Sequence, residues 1–301
     1  MLSLQASQPA RAYPEQDDIA AWLALQAQTN EAISQLIIVH ASLGVEQVRS
    51  VPIDMGGAAG FMSVPLGAEP SDNRIVFDIH GGGLICGNGE ACRQAGRLWA
   101  AQFGATTYSV DYRLPPLHHY PAPLDDCLTA YRFLLERFTP AQIVVHGASA
   151  GGNLAAALML LLRDQGLPFP AGLILVSPEV DLTESGDSFQ TNLGVDTVLT
   201  KSLMPANMLY AGGVELSDPY LSPLFADFTK GFPPTLITTG TRDLFLSNAV
   251  RMHNAIRRAG LFSRLLIEEA MPHGGFGGTP EDLALAVDIK NFAERAWNGF
   301  Q

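Results

Sequence analysis

From about Arg49 onward, short apolar runs of β type alternate with longer runs of helical period. Strands are predicted at Val48–Ile53, Gly60–Val64, Arg74–His80, Thr106–Tyr112, Gln142–His146, Gly172–Val176, Thr235–Thr239 and Arg264–Glu268. Several are continuously apolar rather than alternating, as expected of strands covered on both faces. Helices fit between them at Gly89–Phe103, Pro123–Arg137, Ala150–Gln165, Leu246–Ala259 and Glu281–Trp297. This rhythm predicts an α/β fold, a mostly parallel eight-stranded sheet flanked by helices. Two regions fall outside it. Residues 13–43 place Ile19, Trp22, Leu23, Ile33, Leu36 and Ile37 at helical spacing before the first strand. Residues 185–231 form a long insertion rich in Pro, Gly, Met and aromatics. Long insertions inside compact domains are usually functional. The two are expected to form a helical cap over the carboxyl ends of the strands, where open α/β sheets bind ligands. The division expected is residues 1–47 as N-terminal cap helices and 48–301 as the catalytic domain, with 185–231 contributing to the cap.

Composition narrows the picture. Of 301 residues, 47% are hydrophobic and 16% charged, which supports a compact globule. The net charge is −12, from 30 acids and 18 bases. That balance argues against nucleic acid and anionic membranes as partners, since both demand a basic face. No stretch approaches the roughly 18 apolar residues that would span a bilayer, and the N-terminus has no secretory pattern. Cys86, Cys92 and Cys127 are odd in number and lack metal-ligand spacing. Reduced, buried thiols in a cytoplasmic protein are expected, with neither disulfide nor metal.

The candidate chemistry lies in loops after strands. QIVVHGASAGGNLAAALML reads as strand, then Gly147-Ala148-Ser149-Ala150-Gly151, then helix. A serine at such a turn projects its hydroxyl above the sheet, and the glycines let strand and helix backbones pass closely. Alone the five-residue pattern is weak; the strand before it and the helix after it give it weight. RIVFDIH leads into His80-Gly81-Gly82-Gly83, whose backbone can turn its amides toward one point. The amides of Gly82, Gly83 and Ala150 are the candidate oxyanion hole, with His80 a structural residue of the loop. Among seven histidines, His273 is the candidate base, because it follows the last strand in a Gly-rich loop. Asp243 ends the preceding strand region and is the candidate orienting acid; Asp218 and Asp227 do not follow strands. The order Ser149, Asp243, His273 is that expected of an α/β-hydrolase.

With those motifs, the chain resembles the hormone-sensitive lipase family of esterases. The resemblance runs from about residue 50 to the end, through HGGG at 80–83, DYRLPPLHHYPAPLDD at 111–126, GASAGGNLA at 147–155, SPEVDLT at 177–183, SDPYLSPL at 217–224 and FPPTLITTGTRDLF at 232–245. It implies hydrolysis of short-to-medium acyl esters, small-molecule ester substrates, no cofactor and an N-terminal helical cap. The sequence departs from the family pattern at Ala148, where Asp is usual, at Leu117, where Glu is usual, and at Glu179, where an aromatic or aliphatic residue is common. A salt bridge is the simpler expectation for Glu179, substrate contact the alternative. Leu203, Met204, Met208 and Tyr210 of the insertion are candidates for the substrate pocket. A lactonase or amidase with the same machinery, or a non-catalytic small-molecule receptor, are the alternatives. A late strand or helix of the sheet leaves room for a homodimer.

Overall fold

The computed structural model describes residues 13–39, 44–67 and 73–300. The strands are β1 (Val48–Met55), β2 (Ala58–Pro65), β3 (Ile75–Ile79), β4 (Thr106–Val110), β5 (Ile143–Ala148), β6 (Gly172–Val176), β7 (Thr235–Gly240) and β8 (Ser263–Glu268). They form one sheet in the order β1-β2-β4-β3-β5-β6-β7-β8. Only β1–β2 and β2–β4 pair antiparallel; every other neighbouring pair is parallel. The main helices are α1 (Ile19–Val39), α2 (Glu90–Phe103), α3 (Ala122–Leu135), α4 (Ala150–Asp164), α7 (Leu246–Arg258) and α8 (Pro280–Trp297). Short helices α5 (Ser188–Thr191) and α6 (Met204–Ala211) lie in the insertion.

The continuous apolar strands serve two faces at once. Ile75, Phe77, Val145, Leu173, Leu175 and Ile237 point to one core, with Leu154 and Leu158 of α4 and Met252 of α7. Their chain neighbours Val76, Val144, Ile174 and Leu236 point to the other, with Phe103 of α2 and Ile289 and Phe292 of α8. The two-residue period of a strand divides one run between two helical layers. Burying a side chain such as Phe292 contributes about 1.5–3 kcal/mol.

Helix α1 is held by polar bonds as well as by apolar packing. Trp22 is buried with Ile85 and Cys86 of the loop after β3 and with Ala206 and Leu209 of α6. Gln26 Nε2 donates to the Ile85 carbonyl at 2.6 Å, and the Gly87 amide donates to Asn30 Oδ1 at 2.6 Å. Ile19, by contrast, is exposed, and the side chains of Leu36 and Ile37 lie outside the described residues. The two irregular regions therefore meet each other over the glycine loop. Among the described residues, no helix is long and apolar enough to cross a membrane. Cys86, Cys92 and Cys127 are buried and unbridged.

Candidate active site

The turn between β5 and α4 is forced. Ser149 sits at φ 56°, ψ −122°, a backbone region that non-glycine residues seldom occupy. A side chain at Gly151 would strike the Ile79 carbonyl, and one at Gly147 would strike the Gly151 carbonyl. These two glycines let α4 pack directly behind the strands, so that the chain reverses within one residue and lifts the Ser149 hydroxyl above the sheet. The Ser149 carbonyl is fixed by the amides of Gly152 at 2.9 Å and Glu179 at 3.1 Å.

Two further side chains meet that hydroxyl. His273 Nε2 lies 2.9 Å from Ser149 Oγ, and His273 Nδ1 lies 3.1 Å from Asp243 Oδ1. The edge of Phe245 packs against the imidazole, with ring centroids 4.9 Å apart. Asp243 is fully buried and accepts from Thr239 Oγ1 at 2.8 Å and from the Phe245 amide at 2.9 Å. Burial alone would raise its pKa; the adjoining His273 and these hydrogen bonds outweigh that and hold it below the usual aspartate range. In such a chain the hydroxyl can pass its proton to imidazole while the carboxylate fixes the ring tautomer.

Beside the hydroxyl lies the glycine loop. Gly82 and Gly83 have φ of 128° and 58°, and the Gly82 carbonyl accepts from the amides of Ile85 and Cys86. Among the described residues the amides of Gly82, Gly83 and Ala150 have no intramolecular acceptor. Ala150 opens α4, so its amide also carries the positive end of the helix dipole. His80 takes no part in proton transfer to Ser149: its ring stacks on Tyr112 at 4.0 Å, and its Nδ1 meets the Gly81 carbonyl at 2.8 Å. His146 is buried against Asp78 at 2.9 Å.

Two residues with no signal in the sequence complete the site. Asp196, from the insertion, is buried; its carboxylate accepts from the Leu244 amide at 2.8 Å and from the His273 amide at 3.3 Å. Asn192 Nδ2 donates to the Asp243 carbonyl at 2.8 Å. The insertion thus ties together the two loops that bear the acid and the base. Single polar letters in a loop give no pattern from which this could be read.

A cavity of about 560 Å³ opens onto Ser149 and His273, walled by Tyr13, Leu25, Ile33 and Leu199 among others. Of the four pocket candidates, only Leu203 lines it. Tyr210 is buried in the core, 6.2 Å from Tyr120 in an edge-on pair, and Met208 is half-exposed on the outer face of α6. Met204, half-buried at the start of α6, is also off the cavity. The helical period turns Ala206 and Leu209 inward and so carries Met208 out. Glu179 corrects another expectation. It is fully buried, and among the described residues it has no ion pair and neither carboxylate oxygen has a hydrogen-bond partner. Burial is the main cause that pushes its pKa up to about 8; the facing Asn207 amide partly opposes this, and Glu184 and Asp181 add to it.

A strained serine between strand and helix, met by a buried carboxylate and an imidazole from the loops after β7 and β8, is the arrangement of an α/β-hydrolase. A family model of the α/β-hydrolase fold matches residues 76–276. An esterase of Acinetobacter venetianus is 33% identical over 211 residues, 69% of this chain and 68% of that protein. The carboxylesterase NlhH of Mycobacterium tuberculosis is 33% identical over 66% of each chain. These matches span about two thirds of the length of the relatives. Among solved structures, esterase E25 superposes with a TM-score of 0.86 at 31% identity, covering 93% of this chain and 86% of that one. An esterase from the bacterial hormone-sensitive lipase family gives 0.80 at 27% identity, covering 97% and 94%. The chain belongs to the α/β-hydrolase fold family, among its hormone-sensitive lipase members.

Proposed function

We propose that the protein is a serine carboxylesterase that cleaves short-to-medium acyl esters through an acyl-enzyme. The observation that carries this reading is the continuous chain from Ser149 Oγ through His273 to Asp243 at 2.9 and 3.1 Å. Ser149 attacks the ester carbonyl as His273 Nε2 takes its proton. The amides of Gly82, Gly83 and Ala150 receive the oxyanion, and Asp243 stabilises the imidazolium. His273 then protonates the departing alcohol. Water attacks the acyl-enzyme with the same histidine as base, which frees the acid and restores the serine. Leu25, Ile33, Leu199 and Leu203 give the cavity apolar walls suited to an acyl chain. In this reading α1 and the insertion are the cap of the site.

The test is hydrolysis of p-nitrophenyl esters from acetate to palmitate, beside Ser149→Ala. Activity is expected to peak at short or medium chains and to fall by roughly 10⁴-fold or more in the variant. Turnover that survives the substitution removes Ser149 from the mechanism. Labelling of Ser149 by a fluorophosphonate without turnover of any ester redirects the search to lactones and amides. We extend the proposal to residence in the cytoplasm, where three unbridged thiols stay reduced. It extends also to a homodimer along the outer edge of β8, where Phe262 and Ile267 are exposed; light scattering measures the latter.

A further inference from the structure

A second cavity, of about 300 Å³, lies behind the His273 loop, between α2, α8 and the carboxyl ends of β6 and β7. Trp99, Val176, Met271, Leu285 and Ile289 give it an apolar wall. Its mouth is rimmed by half-exposed Leu283, with exposed Phe276 in the adjoining glycine loop. Apolar surface left in contact with water at the opening of an apolar cavity is a mark of a ligand site.

The polar groups of the wall define the ligand further. No lining residue is basic, and Asp282 stands at the rim, in a chain of net charge −12. A fatty-acid carboxylate would find no cationic side chain to pair with there. The hydroxyls of Ser177 and Thr238 and the Gln102 amide can instead bond a neutral hydroxyl. One of these groups also supports the candidate triad: the Ser177 hydroxyl helps hold the Asp243 carboxylate ionised. Gly274, next to His273, lines both cavities.

We propose that this second cavity binds a neutral medium-chain alcohol and that occupancy lowers turnover without competing for the acyl site. A bound hydroxyl draws Ser177 away from Asp243 and bears on the loop of Gly274, next to His273, which loosens the acid–base pair. Such alcohols are the class of product an esterase releases, so the kinetic effect rests on the esterase reading, whereas the binding does not.

The probe is 1-octanol, and the variant is Ala286→Trp, which fills the cavity from α8. For the wild-type chain, octanol is expected to raise the melting temperature. It is also expected to lower kcat on p-nitrophenyl butyrate at least twofold, to a plateau, with KM unchanged. Both effects should vanish in Ala286→Trp. A rise in KM alone, or faster p-nitrophenol release by alcoholysis, places octanol at Ser149 and overturns the proposal; so do effects that persist in the variant. No change in melting temperature overturns it as well. If Ala286→Trp fails to fold, Leu283→Asp at the rim gives the same comparison. A chain that hydrolyses no ester but still melts higher with octanol loses the esterase reading and keeps the site.

Discussion

Asp243 and Glu179 are both sealed from solvent, yet their surroundings treat them in opposite ways. Asp243 accepts from Thr239 and the Phe245 amide and faces His273, so its charged form is favoured despite burial. Glu179 has no bond to either oxygen, and its near charges are the acids Glu184 and Asp181. The neighbouring Asp181, by contrast, is paired with Arg251 at 2.6 Å. Burial alone therefore does not fix the charge of a carboxyl group; the donors around it decide. The first acid is built to stay ionised, the second to keep its proton.

The largest break in this comparison comes from Asp243→Asn. The amide keeps the shape but presents a donor to Nδ1, which favours the wrong tautomer, and kcat should fall about 10⁴-fold. An ester-hydrolysis assay in which the variant keeps a tenth of wild-type turnover would remove Asp243 from the role proposed for it. Asp196→Ala is the next largest. It cuts the carboxylate that joins the Leu244 and His273 amides, and misplacement of the base by about 1 Å costs roughly 100-fold. The loss should lie in kcat, with KM little changed; a loss confined to KM would point to substrate binding instead.

The smallest effect concerns stability. For Glu179 the folded pKa of about 8 exceeds the ordinary value, so the folded state holds a proton that the unfolded chain gives up. Stability is therefore lost as pH rises from about 4.5 to about 8, and the loss levels off above that. Asp243, with a lowered pKa, behaves in reverse: its contribution is present above the ordinary aspartate value and lost as pH falls through its own. Glu179→Gln should erase the slope between about pH 4.5 and pH 8. Its melting temperature relative to wild type should be higher at pH 9 than at pH 5, by an amount reflecting a few kcal/mol. An equal difference at the two pH values would mean that Glu179 does not keep its proton.

What could be read from the letters follows a physical divide. The β5–α4 turn and the HGGG loop demand glycines at fixed steps, because another residue collides at Gly82, Gly147 and Gly151 and is strained at Gly83, and such demands leave a pattern. The sheet was legible because the strands are apolar on both faces and the helices keep their period. Asp196 and Asn192 act through contacts closed only by tertiary folding, so nothing near them in the chain reveals them. Met208 and Tyr210 failed as pocket residues because composition says what a helix carries but not which way it is turned. The salt bridge expected of Glu179 depended on a cation that folding would bring beside it, and its charged neighbours are instead the acids Glu184 and Asp181.

One consequence follows from the grip of α1 on the glycine loop. Asn30 and Gln26 hold the backbone at Gly87 and Ile85, a few residues beyond the amides proposed to receive the oxyanion. Helix α1 is thus coupled to the amides proposed for the oxyanion, although none of its own atoms would react. Trimming α1 to make a shorter expression product, or straining it with a bulky fusion, is equivalent to editing the active site. Such a product would still label at Ser149 and turn over poorly, and a screen that counts only labelled protein would pass it as intact.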